Sequence, residues 1–428
     1  MKKILAAAGI ALAGLAAYLC LWPVPIAPQS WEAPAAPGYT GPFATNNKLA
    51  KLKSIPLGAE EGPEHLVVAR DGKLYAAVAS GAILRMNPDG SGQEVVVNTG
   101  GRVLGFDFDG AGNLVAADAF RGLLSVSPDR KVTVLADKAG GSPILYANAV
   151  VVARNGKVYF SDASTRFGAR EWGGTFEASI LDILEQSATG RVIEYDPATR
   201  ATRIVAKGLS FANGVALSQD ERSLFVAETG QYRIWKLPVE ARELDVRKTE
   251  AGLKPLFDNL PGYPDNLMRG LDGKVWVGLV KPRNPKIDGM AGKPFMRKLT
   301  LRLPRALWPI PKAYGHVVAF TEDGKVVADL QDPAGAYPET TAVTETADRL
   351  YVQSLHDAAG DEVQRRLHAV DDQRMAGVVA ALEAHHTLRH FGEPVNQLAL
   401  AFVAPLGAHD HDIAARVCGL FVCHFNSR

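Results

Sequence analysis

With 428 residues, 47% of them hydrophobic and 22% charged, the chain can bury a large core, which excludes the disordered and low-complexity classes. Its 47 basic and 46 acidic side chains give a net charge of +1, leaving no basic surplus for a nucleic-acid partner held through its phosphates. Only three cysteines are present, Cys20, Cys418 and Cys423, too few for a disulfide-built scaffold.

The chain opens with Met1-Lys2-Lys3 and a charge-free apolar stretch from Ile4 to Trp22, long enough to span a bilayer. A secretory signal is the other reading, but no small-x-small cleavage site clearly follows. As an uncleaved anchor over residues 1–22, it keeps Lys2 and Lys3 in the cytoplasm and places the remainder in the periplasm or exterior. Residues 23–54 are rich in Pro and Ala and read as a semi-rigid linker.

From residue 55 onward a turn motif recurs six times, at Asp71-Gly72-Lys73, Ala111-Gly112-Asn113, Asn155-Gly156-Lys157, Asp220-Glu221-Arg222, Asp272-Gly273-Lys274 and Ala347-Asp348-Arg349. Each turn lies between apolar runs such as Val150-Val151-Val152 and Val158-Tyr159-Phe160, which predicts a hairpin of two half-buried strands. The spacing leaves room for two further strands per copy, for example Ile204 to Ala206 or Arg233 to Lys236. The expected fold is therefore all-β, a six-bladed β-propeller over residues 55–357.

In a propeller the first strand of every blade lines the axis, so residues in one repeat phase converge in space. The positions seven before each turn are Glu64, Leu104, Asn148, Asn213, Asp265 and Thr340. Taken singly, Asn and Asp before strands are ordinary turn or cap residues. Taken together, Glu64, Asn148, Asn213 and Asp265, with Asn266 beside them, form an oxygen donor set that suits Ca²⁺ better than Zn²⁺.

The segments Gly62-Pro63-Glu64-His65-Leu66, Tyr146-Ala147-Asn148, Tyr159-Phe160-Ser161-Asp162, Phe211-Ala212-Asn213-Gly214 and Pro261-Gly262-Tyr263-Pro264-Asp265-Asn266 resemble the strictosidine-synthase-like family. That family lies within the gluconolactonase–paraoxonase superfamily, and its membrane-anchored members of the adipocyte plasma-membrane-associated protein type also begin with an anchor. The resemblance covers about residues 55 to 357 and implies a six-bladed propeller with catalytic Ca²⁺ in its channel, held by Glu64, Asn148, Asn213 and Asp265. Two departures stand out. Ala149 occupies a position where the family commonly has Asp, and Thr341 aligns with the Glu used by the plant enzymes that condense an amine with an aldehyde. Strict alternation along a strand would point Glu339 the same way as Thr341.

The chemistry implied is ester or lactone hydrolysis by a membrane-anchored, Ca²⁺-dependent enzyme acting on a small molecule, with either Asp265 as base or a water activated by the metal alone. His65, Glu339 and His356 are secondary candidates. A non-catalytic binding propeller and a synthase-type enzyme are the alternatives. No Gly-x-Ser-x-Gly, Walker or dinucleotide fingerprint occurs.

Two insertions interrupt the blades. Within Arg166 to Gly190, the run Phe176 to Glu185 carries apolar residues at helical spacing. The second, Lys281 to Lys312, is basic and apolar together, and reads either as a membrane-surface segment or as a loop packed over a sheet edge. The extension 358–428 has no turn of the earlier kind; Asp361 to His386 has helical character, and Leu398 to Leu406 reads as a strand. His409, His411, Cys418 and Cys423 match no standard zinc spacing.

Overall fold

A computed structural model describes residues 2–354, except 54, 61 and 249–252, together with the strand Arg366–Ala369. All six turns close antiparallel hairpins, pairing Val68 with Leu74, Phe108 with Leu114, Val152 with Val158, Leu217 with Leu224, Arg269 with Val275 and Glu345 with Leu350. Turn chemistry explains why. Asp71 Oδ1 accepts from the Lys73 amide at 3.0 Å, Asn155 Oδ1 does the same for Lys157, and Gly72 and Gly156 take φ of +73° and +84°, where a Cβ would be strained.

The inner strands are His65–Val68, Val103–Phe108, Ala147–Val152, Ala212–Leu217, Gly262–Arg269 and Thr340–Glu345. Each packs beside the next, and the last returns to the first, so the chain is an all-β propeller. The ring is fastened where Thr341 Oγ1 donates to the Glu64 carbonyl at 3.2 Å and Thr344 Oγ1 to the Leu66 carbonyl at 2.6 Å. Large buried side chains such as Phe160, Phe225 and Trp276 fill the spaces between neighbouring sheets.

Among the described residues there are five full blades, not the six expected. Five sheets have four or more strands, whereas the sixth has three among the described residues: Thr340–Glu345, Leu350–Ser354 and Arg366–Ala369. The turn repeat registers only the first hairpin of each blade, so it counts the sixth hairpin without registering how many strands follow it. Arg366–Ala369 also lies inside the stretch expected to be helical. There, antiparallel pairing with Leu350–Ser354 overrides a weak local preference. His356, the Leu398 to Leu406 expectation and the His409, His411, Cys418 and Cys423 group lie outside the described residues.

At the amino terminus, Lys2–Leu21 is a helix of 20 residues with no side chain buried, long and apolar enough to cross a membrane. The segment that follows lies on the propeller. Ala27 N donates to Glu185 Oε2 at 2.6 Å, Gln29 N to the Glu185 carbonyl at 2.7 Å and Leu49 N to the Gln331 carbonyl at 3.0 Å.

Both insertions leave from the end of a second strand, Val158–Asp162 or Val275–Pro282. Because Ala147 pairs with Asp162 and Gly262 with Pro282, those ends lie beside the beginnings of the inner strands. The insertions therefore rise from the face where Asn148 and Asp265 sit. The first forms the helix Thr175–Glu185; the second forms Pro285–Asp288, Pro294–Arg302 and a short 3₁₀ turn at Arg305–Leu307.

Candidate functional site

At four of the six phase positions, Leu104, Asn148, Asn213 and Asp265, the shared sequence phase coincides with a backbone irregularity. Pairing slips between Val103 and Gly105, Ala147 and Val150, Ala212 and Val215, Pro264 and Leu267, and Thr340 and Ala342. Each slip inserts an extra residue, which re-aims a side chain away from the regular alternation. The residues so placed are Leu104, Asn148-Ala149, Asn213-Gly214, Asp265-Asn266 and Thr341, while Glu64 stands just ahead of the first inner strand. At the third blade the amide freed by the bulge is satisfied, because Ala149 N donates to Ser161 Oγ at 3.0 Å.

A second repeated device fixes the entry to these strands. Asp118, Asp162 and Glu228 each end a second strand. Their carboxylates accept from the backbone amides of Arg102 at 3.1 Å, Tyr146 at 2.9 Å and Ser210 at 2.9 Å, just before the inner strand of the same blade. Close approach between blades depends on glycine. A Cβ on Gly214 would press on Leu267 N and the Asp265 carbonyl oxygen, and one on Gly105 would stand 2.9 Å from the Asn148 carbonyl oxygen.

The polar residues are buried: Glu64 is 5% exposed, Asp265 6%, and Asn148, Asn213 and Asn266 no more than 4%. Asn266 Nδ2 donates to Glu64 Oε1 at 3.4 Å and Arg102 Nη2 to Glu64 Oε2 at 3.3 Å. Burial raises the pKa of Asp265 well above the usual carboxylate range, the nearby Glu64 charge adds to the rise, and a hydrogen bond from Asn213 opposes it. Burial also raises Glu64, against the opposing pull of Arg102. Tyr146 feels the charges of Glu64, Arg102 and Asp265 and is likewise raised, chiefly by burial; its hydroxyl donates to the Thr175 carbonyl at 2.7 Å. Glu64, Asn213, Asp265 and Asn266 thus form one cluster, with Asn148 at the bulge two residues beyond Tyr146.

The donor set fits a hard cation. The side-chain oxygens Asn213 Oδ1 and Asn266 Oδ1 are buried without a hydrogen-bond partner, an arrangement that costs free energy unless something else satisfies them. The Glu64 charge that raises the proton affinity of Asp265 also favours a positive occupant. No group of three or more His, Cys, Asp or Glu side chains suited to a metal occurs among the described residues, so a cation here would need amide oxygens as well as carboxylates. Arg102 already offsets part of the negative charge.

The secondary candidates lie elsewhere. His65 packs edge-on against Phe106, with ring centroids 5.2 Å apart, and burial pushes its pKa down to about 4. Glu339 pairs with Lys281 at 2.8 Å, and its φ of +57° breaks the alternation that would have aligned it with Thr341. Sequence reasoning missed Arg102 and Tyr146. Each stands two residues before a ligand-phase position, and that offset was the available signal.

Fold and site together define a propeller with an oxygen-lined polar mouth. The Strictosidine synthase profile matches residues 148–241, and that of the Strictosidine synthase-like N-terminal region matches 41–86. The chain is 31% identical over 337 residues to the adipocyte plasma membrane-associated protein of Salmo salar, covering 73% of this chain and 77% of that protein. It is 35% identical over 251 residues to strictosidine synthase-like protein 4 of Arabidopsis thaliana, covering 57% of this chain and 64% of the plant protein's length. The chain belongs to the strictosidine synthase-like family. Among solved structures, a gluconolactonase of Xanthomonas campestris shares the fold with a TM-score of 0.51 at 18% identity, over 77% of this chain and 94% of that one.

Proposed function

We propose that the protein is a membrane-anchored, Ca²⁺-dependent hydrolase of lactones or esters, with the ion held by Glu64, Asn148, Asn213, Asp265 and Asn266. The observation that carries this reading is the pair of unpartnered amide oxygens on Asn213 and Asn266 beside two buried carboxylates. A gluconolactonase with the same fold supports the reaction class. When bound, such an ion supplies Lewis-acid polarisation of a carbonyl. Asp265, ionised beside the cation, takes the proton from the attacking water. Arg102 keeps Nη1 without a partner and donates it to the oxygen that gains charge. Roofing by the helix Thr175–Glu185 excludes bulk water from the mouth. The helix Lys2–Leu21 holds the propeller on the periplasmic or exterior side, with Lys2 and Lys3 inside.

A panel of aliphatic lactones and aryl esters, offered to the full-length protein and to Asn213→Ala, tests the proposal. Turnover by the first and its loss in the second are expected. A folded protein that turns over none of the panel would instead be a binding propeller.

A further inference from the structure

The membrane-length helix ends on the roof of the candidate site. Arg302, buried in the second insertion, donates Nη1 to the Leu19 carbonyl at 3.0 Å and Nε to the Trp22 carbonyl at 2.7 Å, closing the last turn of the helix. One residue earlier, Leu301 packs into an apolar cluster with Ile26, Leu181 and Leu184, and the same cluster contains Leu104, Tyr146 and Phe211 at the entries to three inner strands. An unbroken chain of contacts therefore runs from the anchor, through the roof, to the polar mouth.

Around that junction the surface is apolar and basic. Leu307 is 64% exposed, Ile310 60% and Phe295 50%, although all three lie in a segment otherwise packed on the propeller. Lys286, Lys293 and Lys312 are exposed beside them and Lys298 is half-buried; none makes an ion pair among the described residues. Arg305 differs, being paired with Glu177 at 3.1 Å. Apolar side chains flanked by unpaired lysines, at the foot of a membrane-length helix, have the composition of a segment that lies in the headgroup layer of an anionic bilayer.

We propose that this collar seats on the anionic lipid surface from which the anchor emerges, so that the oxygen-lined mouth of the propeller faces the bilayer. The substrate consequence rests on the hydrolase reading above: lactones or esters that partition into lipid reach the mouth from the membrane, across the apolar roof.

The test uses the full-length protein in lipid nanodiscs, with Cys20, Cys418 and Cys423 changed to Ser and a fluorophore on a single new cysteine. Leu307→Cys and Ile310→Cys report on the collar. Leu271→Cys, an exposed residue at the turn on the opposite face, is the control. Nitroxide-bearing lipids are expected to quench positions 307 and 310 several-fold more than 271, and the difference to shrink in zwitterionic discs or when Lys286, Lys293, Lys298 and Lys312 become Gln. Equal quenching at the three positions overturns the placement, and a contrast indifferent to lipid charge overturns the choice of an anionic surface. In a second arm, Leu307→Gln/Ile310→Gln is expected to lose turnover of long-chain lactones several-fold while keeping that of short-chain ones; equal loss on both overturns the lipid route. Absence of all turnover with the quenching contrast intact removes the hydrolase reading and its substrate clause, and leaves the placement standing.

Discussion

Asn266 and Glu64, 202 positions apart in the chain, meet at 3.4 Å and join the first blade to the fifth across the propeller mouth. The contact uses the amide nitrogen of Asn266 as donor and leaves its oxygen free. Together with the Asp265–Asn213 contact, it gathers two carboxylates and two side-chain amides, with Arg102 paired to Glu64 beside them. That balance makes the response to removing Arg102 informative.

Replacing Arg102 by Met leaves Glu64 buried with no cationic partner, and breaking a buried pair in this way costs about 3–5 kcal/mol. The expected result is a strong fall in denaturant midpoint in the presence of chelator and a smaller fall with Ca²⁺, because the ion takes over the compensation of charge. An equal fall under both conditions would separate Arg102 from the cation site.

Gly214 allows the fourth and fifth inner strands to approach, so Gly214→Ala should cost about 1–3 kcal/mol through overpacking and should also weaken Ca²⁺ binding by displacing Asn213 from Asp265. Gly72→Ala, at a positive-φ turn on the far face, is the comparison. It should lower stability through backbone strain and leave Ca²⁺ affinity unchanged. Calorimetric titration of both variants decides the point.

Burial pushes the Asp182 carboxyl up to about 7 against the pull of a hydrogen bond from Ser164, and neighbouring Glu185 adds to the rise. Its folded pKa lies above its unfolded one, so the folded state retains the proton, and stability is lost as pH rises from about 4 to about 7. The neutral Asp182→Asn side chain does not pay that penalty. The variant should match the parent near pH 4.5 and exceed it in thermal midpoint by several degrees at pH 8, for a difference on the order of 4 kcal/mol. A midpoint difference that does not change with pH contradicts this account.

Much of the site was legible because hairpin geometry converts sequence spacing into position. A strand and turn of fixed length place Glu64, Asn148, Asn213 and Asp265 seven residues before Asp71, Asn155, Asp220 and Asp272, and bulges then re-aim Asn148, Asn213 and Asp265. The bulges themselves were not legible. They depend on pairing with the second strand, which for Ala149 means the Ser161 hydroxyl. Arg102 escaped notice because its blade carries Leu104 at the ligand phase, so nothing there looked polar. The roof was visible only as helical spacing in Phe176 to Glu185 and as basic, apolar composition in Lys281 to Lys312. Its docking onto the anchor arises from long-range bonds such as that of Arg302 to Leu19, which no local pattern encodes. In the sixth blade a turn was visible, but the number of strands behind it was not.

The cation site is tested most directly by titrating Ca²⁺ into the chelator-stripped full-length protein by calorimetry, with Asn213→Ala and Asp265→Asn alongside. A single saturable site in the parent, weakened at least tenfold in both variants and accompanied by a rise in thermal midpoint, is the predicted result. A folded parent protein that takes up no Ca²⁺, or binds it equally well in both variants, would contradict it.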